Sequence, residues 1–381
     1  MAYKLALLFS LVVTWSGSRI EKFRLSIRKI CSLATAKDCK LERKFIEESN
    51  RILFTHDEYG YNKLHLRDTV DGHEDLFVAC IDDHTIENVI CDPKTGRFMP
   101  SLPTSYCPVP KATVKTVATF KGITEYSVGY VIDAHTYLEL YRTAYNKPSV
   151  SAVYTDYDGA TGNMVTQRPS QVFTTDGIIS GADAVTFQIS WIFQRFIDLY
   201  GPKQTYVKDA RTSIIERGHL APSADFLFAH DMRATFKYLN VVPQFGSINR
   251  GNWKTIETWV RAIPITRPRD EHIPYRVVTG GLNVLKLPHS TNAKNLVPLY
   301  LEAGNKNPVP EWTYKIVEKL DACTVFVTYN NIFSTTKPLA ICTQTKCPLD
   351  IKLSDNMTMG YTYCCSAKDF QKKYLANIDI C

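Results

Sequence analysis

The distribution of cysteine constrains this chain most. Eleven Cys fall in two groups. Cys31, Cys39, Cys80, Cys91 and Cys107 lie toward the N-terminus. Cys323, Cys342, Cys347, Cys364, Cys365 and Cys381 lie toward the C-terminus, and residues 108–322 contain none. The first residues say which chemistry these thiols meet. Lys4 supplies a positive charge, Leu5 to Val13 is an apolar run broken only by Ser10, and Ser16-Gly17-Ser18 offers the small residues a signal peptidase reads. The run is much shorter than the ~20 residues that span a bilayer. It therefore reads as a secretory signal over residues 1–18, and the protein as secreted. In an oxidising compartment the thiols should pair as disulfides, with Cys381 as the expected leftover of an odd total. Zinc is the competing use, but no CxxC pair occurs and Cys342/Cys347 lacks a matching pair. Asn356-Met357-Thr358 is a glycosylation sequon, usable only in a secreted chain.

With 381 residues, 45% hydrophobic and 22% charged, the chain can bury a sizeable core, which excludes global disorder. Residues 19–110 read as an N-terminal cysteine-containing region ending in Pro100, Pro103, Pro108 and Pro110. Residues 111–381 read as the main domain with a disulfide-rich C-terminal extension. No stretch beyond the leader is apolar enough to cross a bilayer, so no membrane partner is expected; oligomeric state leaves no sign. The net charge is +7, and Lys203 to Arg269 carry 11 Lys and Arg against 5 Asp and Glu. Such a patch attracts polyanions, although an ordinary solvated surface would have the same composition.

The alternation of Tyr126, Val128, Tyr130 and Ile132 predicts a strand buried on one face. Residues 136–143 and 149–157 predict two more. Over 182–200, Val185, Ile189, Ile192, Phe193, Phe196 and Tyr200 recur at helical spacing, and Gly201-Pro202 ends the helix. A strand at Thr212–Ile215 then leads into Glu216-Arg217-Gly218-His219. A second, Tyr238–Val242, leads into Pro243-Gln244, and a helix follows from about Ile248 to Ala262. His230 and Asp231, between the strands, carry no motif and read as loop residues.

The polar residues at these junctions suit phosphodiester hydrolysis. That reaction needs a water, a base to deprotonate it, and positive charge on the phosphorane. A neutral His219 can be the base. Asn249 offers a carboxamide oxygen to a hard cation such as Mg2+ (or Mn2+), which keeps several waters and needs few protein ligands. Glu257 would hold metal-bound water from outside the coordination sphere. On an ideal helix Asn249, Trp253, Glu257 and Arg261 drift only ~40° per step along one face. Arg217 and Arg261 are placed to clamp phosphate. The bland readings are that Asn249 caps the helix, that Glu257 and Arg261 form a surface pair, and that Trp253 and Trp259 are core residues.

Glu216-Arg217-Gly218-His219, then Asn240-Val241-Val242-Pro243-Gln244, then the row Asn249, Trp253, Glu257 and Arg261, together resemble the DNA/RNA non-specific endonuclease family. Arg217 to Pro222, followed by Ser223-Ala224-Asp225, looks most like its secreted insect branch, which includes the salivary nuclease-like proteins of tsetse flies. The resemblance covers about 112–320, and 212–261 carry most of it. It implies an α+β fold: a central antiparallel sheet with flanking helices and a ββα-metal motif, between disulfide-containing N- and C-terminal extensions. It implies catalytic roles for His219, Arg217, Glu257 and Arg261, and metal ligation by Asn249. Glu216, Asn240 and Gln244 would support the site, and Arg168, Arg250 and Lys254 would bind phosphate; the match at Arg168 is loose. The implied activity is metal-dependent cleavage of DNA and RNA without sequence specificity, leaving 5′-phosphate ends. The alternative is a secreted nucleic-acid-binding protein of the same fold with weak residual activity. One departure stands out: the wider family usually has Asp where this chain has Glu216. If one extra methylene misplaces the carboxylate, Glu216→Asp should raise turnover.

Overall fold

The structure, a computed structural model, describes residues 37–57, 59–159, 167–266, 275–319, 322–376, 378 and 380–381. Residues 1–18, expected to be a secretory signal, and Cys31 lie outside the described residues. A nine-stranded antiparallel sheet dominates. From one edge its order is Gln344–Thr345, Thr362–Cys365, Ala322–Tyr329, Pro310–Lys319, Tyr275–Val284, Ser151–Gly159, Tyr137–Asn146, Ile123–Val131 and Thr113–Phe120. Tyr126, Val128, Tyr130 and Ile132 are buried, as their alternation predicts. Strand outweighs helix; Lys254–Thr266 and Ala367–Tyr374 pack on the sheet's two faces, while Ile189–Tyr200 packs against Leu285, Leu287, Leu299 and Leu301 beside it. Lys254–Thr266 lays Ile256, Trp259, Val260 and Ile263 into one core with Val128, Tyr130, Val317 and Phe326. The neighbouring residues Ile316, Val325 and Val327 point the other way, as the two-residue period of a strand requires. They pack with Phe370 of the Ala367–Tyr374 helix.

The predicted single helix over 182–200 is two, Gly181–Val185 and Ile189–Tyr200. The break falls at Thr186, whose hydroxyl donates back to the Asp183 carbonyl at 2.7 Å. Such local side-chain bonding competes with helix continuation. Ile192, Phe196 and Tyr200 are core residues, as their spacing predicts.

Residues 37–107 form a five-stranded sheet of their own, ordered Asn62–Leu64, Ile52–His56, Asp75–Cys80, Thr85–Asp92 and Arg97–Met99. Ile52, Phe54, Leu64 and Ala79 join the core of the main sheet. Leu53, Leu76, Val78 and Val89 pack instead with Leu227 and Phe228, which lie between the two motif strands. Disulfides Cys39–Cys91 and Cys80–Cys107 pin this region, and Cys323–Cys381, Cys342–Cys365 and Cys347–Cys364 pin the C-terminal extension. Cys381, expected to be unpaired, is bonded to Cys323.

His230 and Asp231 are not loop residues. They lie on a buried helix, Ala229–Ala234. Asp231 accepts a hydrogen bond from the Tyr130 hydroxyl at 2.8 Å. Burial pushes its carboxyl up to about 7, with the Tyr130 bond opposing. The folded state therefore keeps a proton that the unfolded chain loses near pH 4. Stability is full below that value and falls as pH rises toward 7. Asp231→Asn should be more stable than the native protein at pH 8, by on the order of a few kcal/mol, and nearly equal at pH 4. Urea unfolding at the two pH values measures the difference; equal gains at both would contradict it.

Candidate active site

The motif strands are Ile215–His219 and Val241–Phe245, antiparallel, with Glu216 opposite Gln244 and His219 opposite Val241. The first therefore contains the polar residues rather than preceding them. Gly218 is required here, because a Cβ would stand 2.5 Å from Gln244 Oε1. Gln244 itself is buried, and its Nε2 has no hydrogen-bond partner. Asn240 fixes the turn after His219. Its Oδ1 accepts from the Ala221 amide at 2.8 Å, and its Nδ2 donates to the carbonyls of Ala221 and Thr235.

Residues two apart share a strand face, so Arg217 and His219 project together. That face is walled by aromatic rings that the sequence analysis did not single out. The His219 ring lies 5.2 Å from Phe173 and 5.1 Å from Phe236. The Arg217 guanidinium sits 5.2, 5.3 and 5.4 Å from the rings of Phe173, Phe187 and Tyr238 and donates to the Tyr238 hydroxyl. Such cation–π contacts hold a guanidinium without neutralising it. Phe173 is kept in place by its neighbour Thr174, whose amide donates to the Phe236 carbonyl and whose carbonyl accepts from the Tyr238 amide. His219 Nε2 is covered and unpartnered. Burial, then the charge of Arg168, pushes the imidazole down to about 3. The ring is thus neutral at physiological pH, the state a base needs. Arg168 lies with its guanidinium 5.1 Å from the Phe236 ring.

Glu216 reaches toward the helical segment that follows the second strand. Its Oε2 accepts from Asn249 Nδ2 at 2.8 Å, and its Oε1 pairs with Arg250. Gly246 makes room, since a Cβ there would meet Glu216 Oε1 at 2.9 Å. The full reach of glutamate is in use, which reverses the expectation for this position. Glu216→Asp would pull the carboxylate away from Asn249, and a displacement of about 1 Å can cost on the order of 10²-fold in rate. Turnover at saturating Mg2+ should fall, and an unchanged or higher value would contradict this role.

The helix after the second strand is not continuous. It begins at Gly246, widens over Asn249–Trp253, and breaks at Gly251, whose φ and ψ are −91° and −125°. The cause is the C-terminal extension. The Asn252 amide donates to the Met359 carbonyl, and Asn252 Nδ2 donates to the carbonyls of Ser354 and Gly360. The even stripe from Asn249 to Arg261 is interrupted accordingly, and Trp253 is buried at 1% exposure. Beyond the break, Arg261 donates to Asp225 Oδ1 at 2.9 Å and to Thr258. Asp225 Oδ2 accepts from the Tyr157 hydroxyl. Glu257 is half-buried, and burial raises its carboxyl, opposed first by the positive charge of Lys315. Lys315 is fully buried, donating to Thr279 Oγ1 at 2.7 Å with its Nζ 5.3 Å from the Trp253 ring. Asp225 and Lys315 are the charged residues whose part here the sequence did not reveal. Lys254 is exposed on the outer side of the helix, beside Arg250.

Residues 121–370 match the DNA/RNA non-specific endonuclease family, and the chain belongs to that family. Its relatives include insect salivary proteins. It is 30% identical over 257 residues to a salivary endonuclease of Lutzomyia longipalpis, covering 65% of this chain and 60% of the relative. It is 29% identical over 173 residues to salivary protein Tsal1 of Glossina morsitans morsitans, covering 43% and 41%. It is 29% identical over 180 residues to a salivary endonuclease of Culex quinquefasciatus, covering 43% and 45%. The chain thus spans about 60% or less of the length of these relatives. The family is a nuclease family and generally depends on divalent metal. Among the described residues no helix is long and apolar enough to cross a membrane.

Proposed function

We propose that this chain is a secreted, divalent-metal-dependent endonuclease that hydrolyses DNA and RNA without regard to sequence. One observation carries the reading: a neutral His219 and a caged Arg217 share one strand face, and Glu216 on the same strand fixes Asn249. The donor set suits Mg2+ or Mn2+. With its Nδ2 given to Glu216, Asn249 keeps a hard carboxamide oxygen for a cation. Among the described residues no group of three or more His, Cys, Asp or Glu could enclose an ion. A cation that retains most of its water fits such a site. When bound, it supplies charge stabilisation at the phosphoryl oxygens.

The chain's own residues do the rest. His219 accepts the proton of the attacking water at Nδ1, its other nitrogen Nε2 being covered, as the water's oxygen bonds to phosphorus and the P–O3′ bond breaks with the 3′ oxygen leaving. Arg217 neutralises the developing charge, locked by its aromatic cage so that little reorganisation is needed. Glu257, whose carboxyl burial pushes up to about 7 against the opposing charges of Lys315, Arg261 and Arg168, orients water in its ionised form. Asn240 and Gln244 hold the frame. Secretion is supported by the apolar leader and by five disulfides. Plasmid DNA and double-stranded RNA should both be cut in Mg2+ and spared in chelator. Intact substrates in both Mg2+ and Mn2+ would sink the reading.

A further inference from the structure

We propose that the groove between the Lys254–Thr266 helix and the C-terminal extension carries the nucleic-acid strand beyond the cut, with Lys352 of the extension gripping its phosphate backbone. The inference rests on the nuclease reading and extends it to a segment with no assigned role. The groove has a volume of about 420 Å3. Arg250, Lys254 and Lys352 line it, over a floor that includes Trp259, Ile351 and Met359. Among the described residues lining it the one acidic side chain, Asp350, accepts a hydrogen bond from the Trp259 indole at 2.9 Å. Lys254 and Lys352 are exposed, and neither has an acidic partner among the described residues. Cations over an apolar floor are what the phosphates and sugar edges of a polyanionic backbone would meet.

Two further facts tie the groove to the site. Arg250 lines it and also pairs with Glu216, the residue that holds Asn249. Arg250 thus links the groove, through Glu216, to the candidate cation ligand. Its far wall is also rigid. Asn252 bonds the carbonyls of Ser354 and Gly360, the Ser354 amide returns a bond to Asn252, and Cys347–Cys364 cross-links the extension. A wall fixed before binding loses little entropy when a ligand docks.

The test is the salt dependence of binding to a short labelled DNA duplex, measured by fluorescence anisotropy in chelator so that no cutting occurs. Lys352→Ala should weaken binding roughly tenfold at 0.1 M salt and flatten the slope of log K against log salt by about 0.9, the share of one phosphate contact. Lys372→Ala removes the same charge from an exposed position on the Ala367–Tyr374 helix, across the sheet, and should leave the slope unchanged. If Lys352→Ala behaves like Lys372→Ala while the native protein binds with a steep slope, the groove assignment is overturned and the nucleic-acid reading stands. If the native protein itself shows no salt dependence, both fall.

Discussion

His219→Ala is expected to lower the rate of phosphodiester cleavage by roughly 10²–10⁴-fold, the contribution of a positioned general base. Affinity for nucleic acid, measured in chelator, should hardly move. The separation follows from where the residue sits. His219 is enclosed by Phe173 and Phe236 with its Nε2 covered, and its pKa lies far below neutrality. It carries no charge with which to hold a phosphate. Arg217, Lys254 and Lys352 carry that charge and are untouched by the substitution. A parallel loss of rate and affinity would mean that His219 shapes the binding surface, and undiminished cleavage would remove it from the mechanism.

Arg261→Met should cost stability before it costs phosphate binding. Arg261 is aimed at Asp225 at 2.9 Å, and the two side chains are 17% and 0% exposed. Truncating one partner leaves the buried Asp225 carboxylate without its ion pair, with the Tyr157 hydroxyl bond and the charge of Lys315 remaining. Breaking a buried pair in this way costs about 3–5 kcal/mol. Urea unfolding should show a midpoint well below that of the native protein. Adding Asp225→Asn should restore part of the loss, because the uncompensated charge is then gone. An unchanged midpoint with weaker DNA affinity would favour a phosphate clamp.

The parts of this molecule legible in its sequence are those whose logic is local. The alternation through Tyr126 to Ile132 depends on neighbours a few residues away, and the structure buries all four side chains accordingly; the 216–219 tetrapeptide and the Asn249-to-Arg261 spacing are legible as motifs, but the first lies inside its strand and the second crosses a break at Gly251. What escaped depends on distant segments. Phe173 reaches His219 from 46 positions upstream, and Lys315 meets Trp253 across 62; neither pairing has a local signature. The break at Gly251 is imposed by residues 354–360, about a hundred positions on. The strand expected at 212–215 lies at Ile215–His219 for a related reason. The ladder that defines it is set by register with Val241–Phe245, and register belongs to two strands at once. Glu216 is instructive in another way. Compared with the shorter residue common in the family, it looked like a weakening; its reach makes sense only once Asn249 and Arg250 are seen at its two oxygens.

Among the described residues, every covalent cross-link joins two positions on the same side of the cysteine-free middle. The bonds close spans of 52 and 27 residues before it, and of 58, 23 and 17 after it. Each restricts the unfolded chain only within its own flank. The middle, which supplies His219, Asn249 and Glu257, has no cross-link of its own and is held by packing, hydrogen bonds and ion pairs such as Arg261–Asp225. The molecule is thus divided by redox chemistry rather than by architecture: two oxidant-dependent ends brace a centre whose own assembly requires no oxidant. Reduction would loosen the braces first, and the catalytic residues would feel it only through the walls those braces hold.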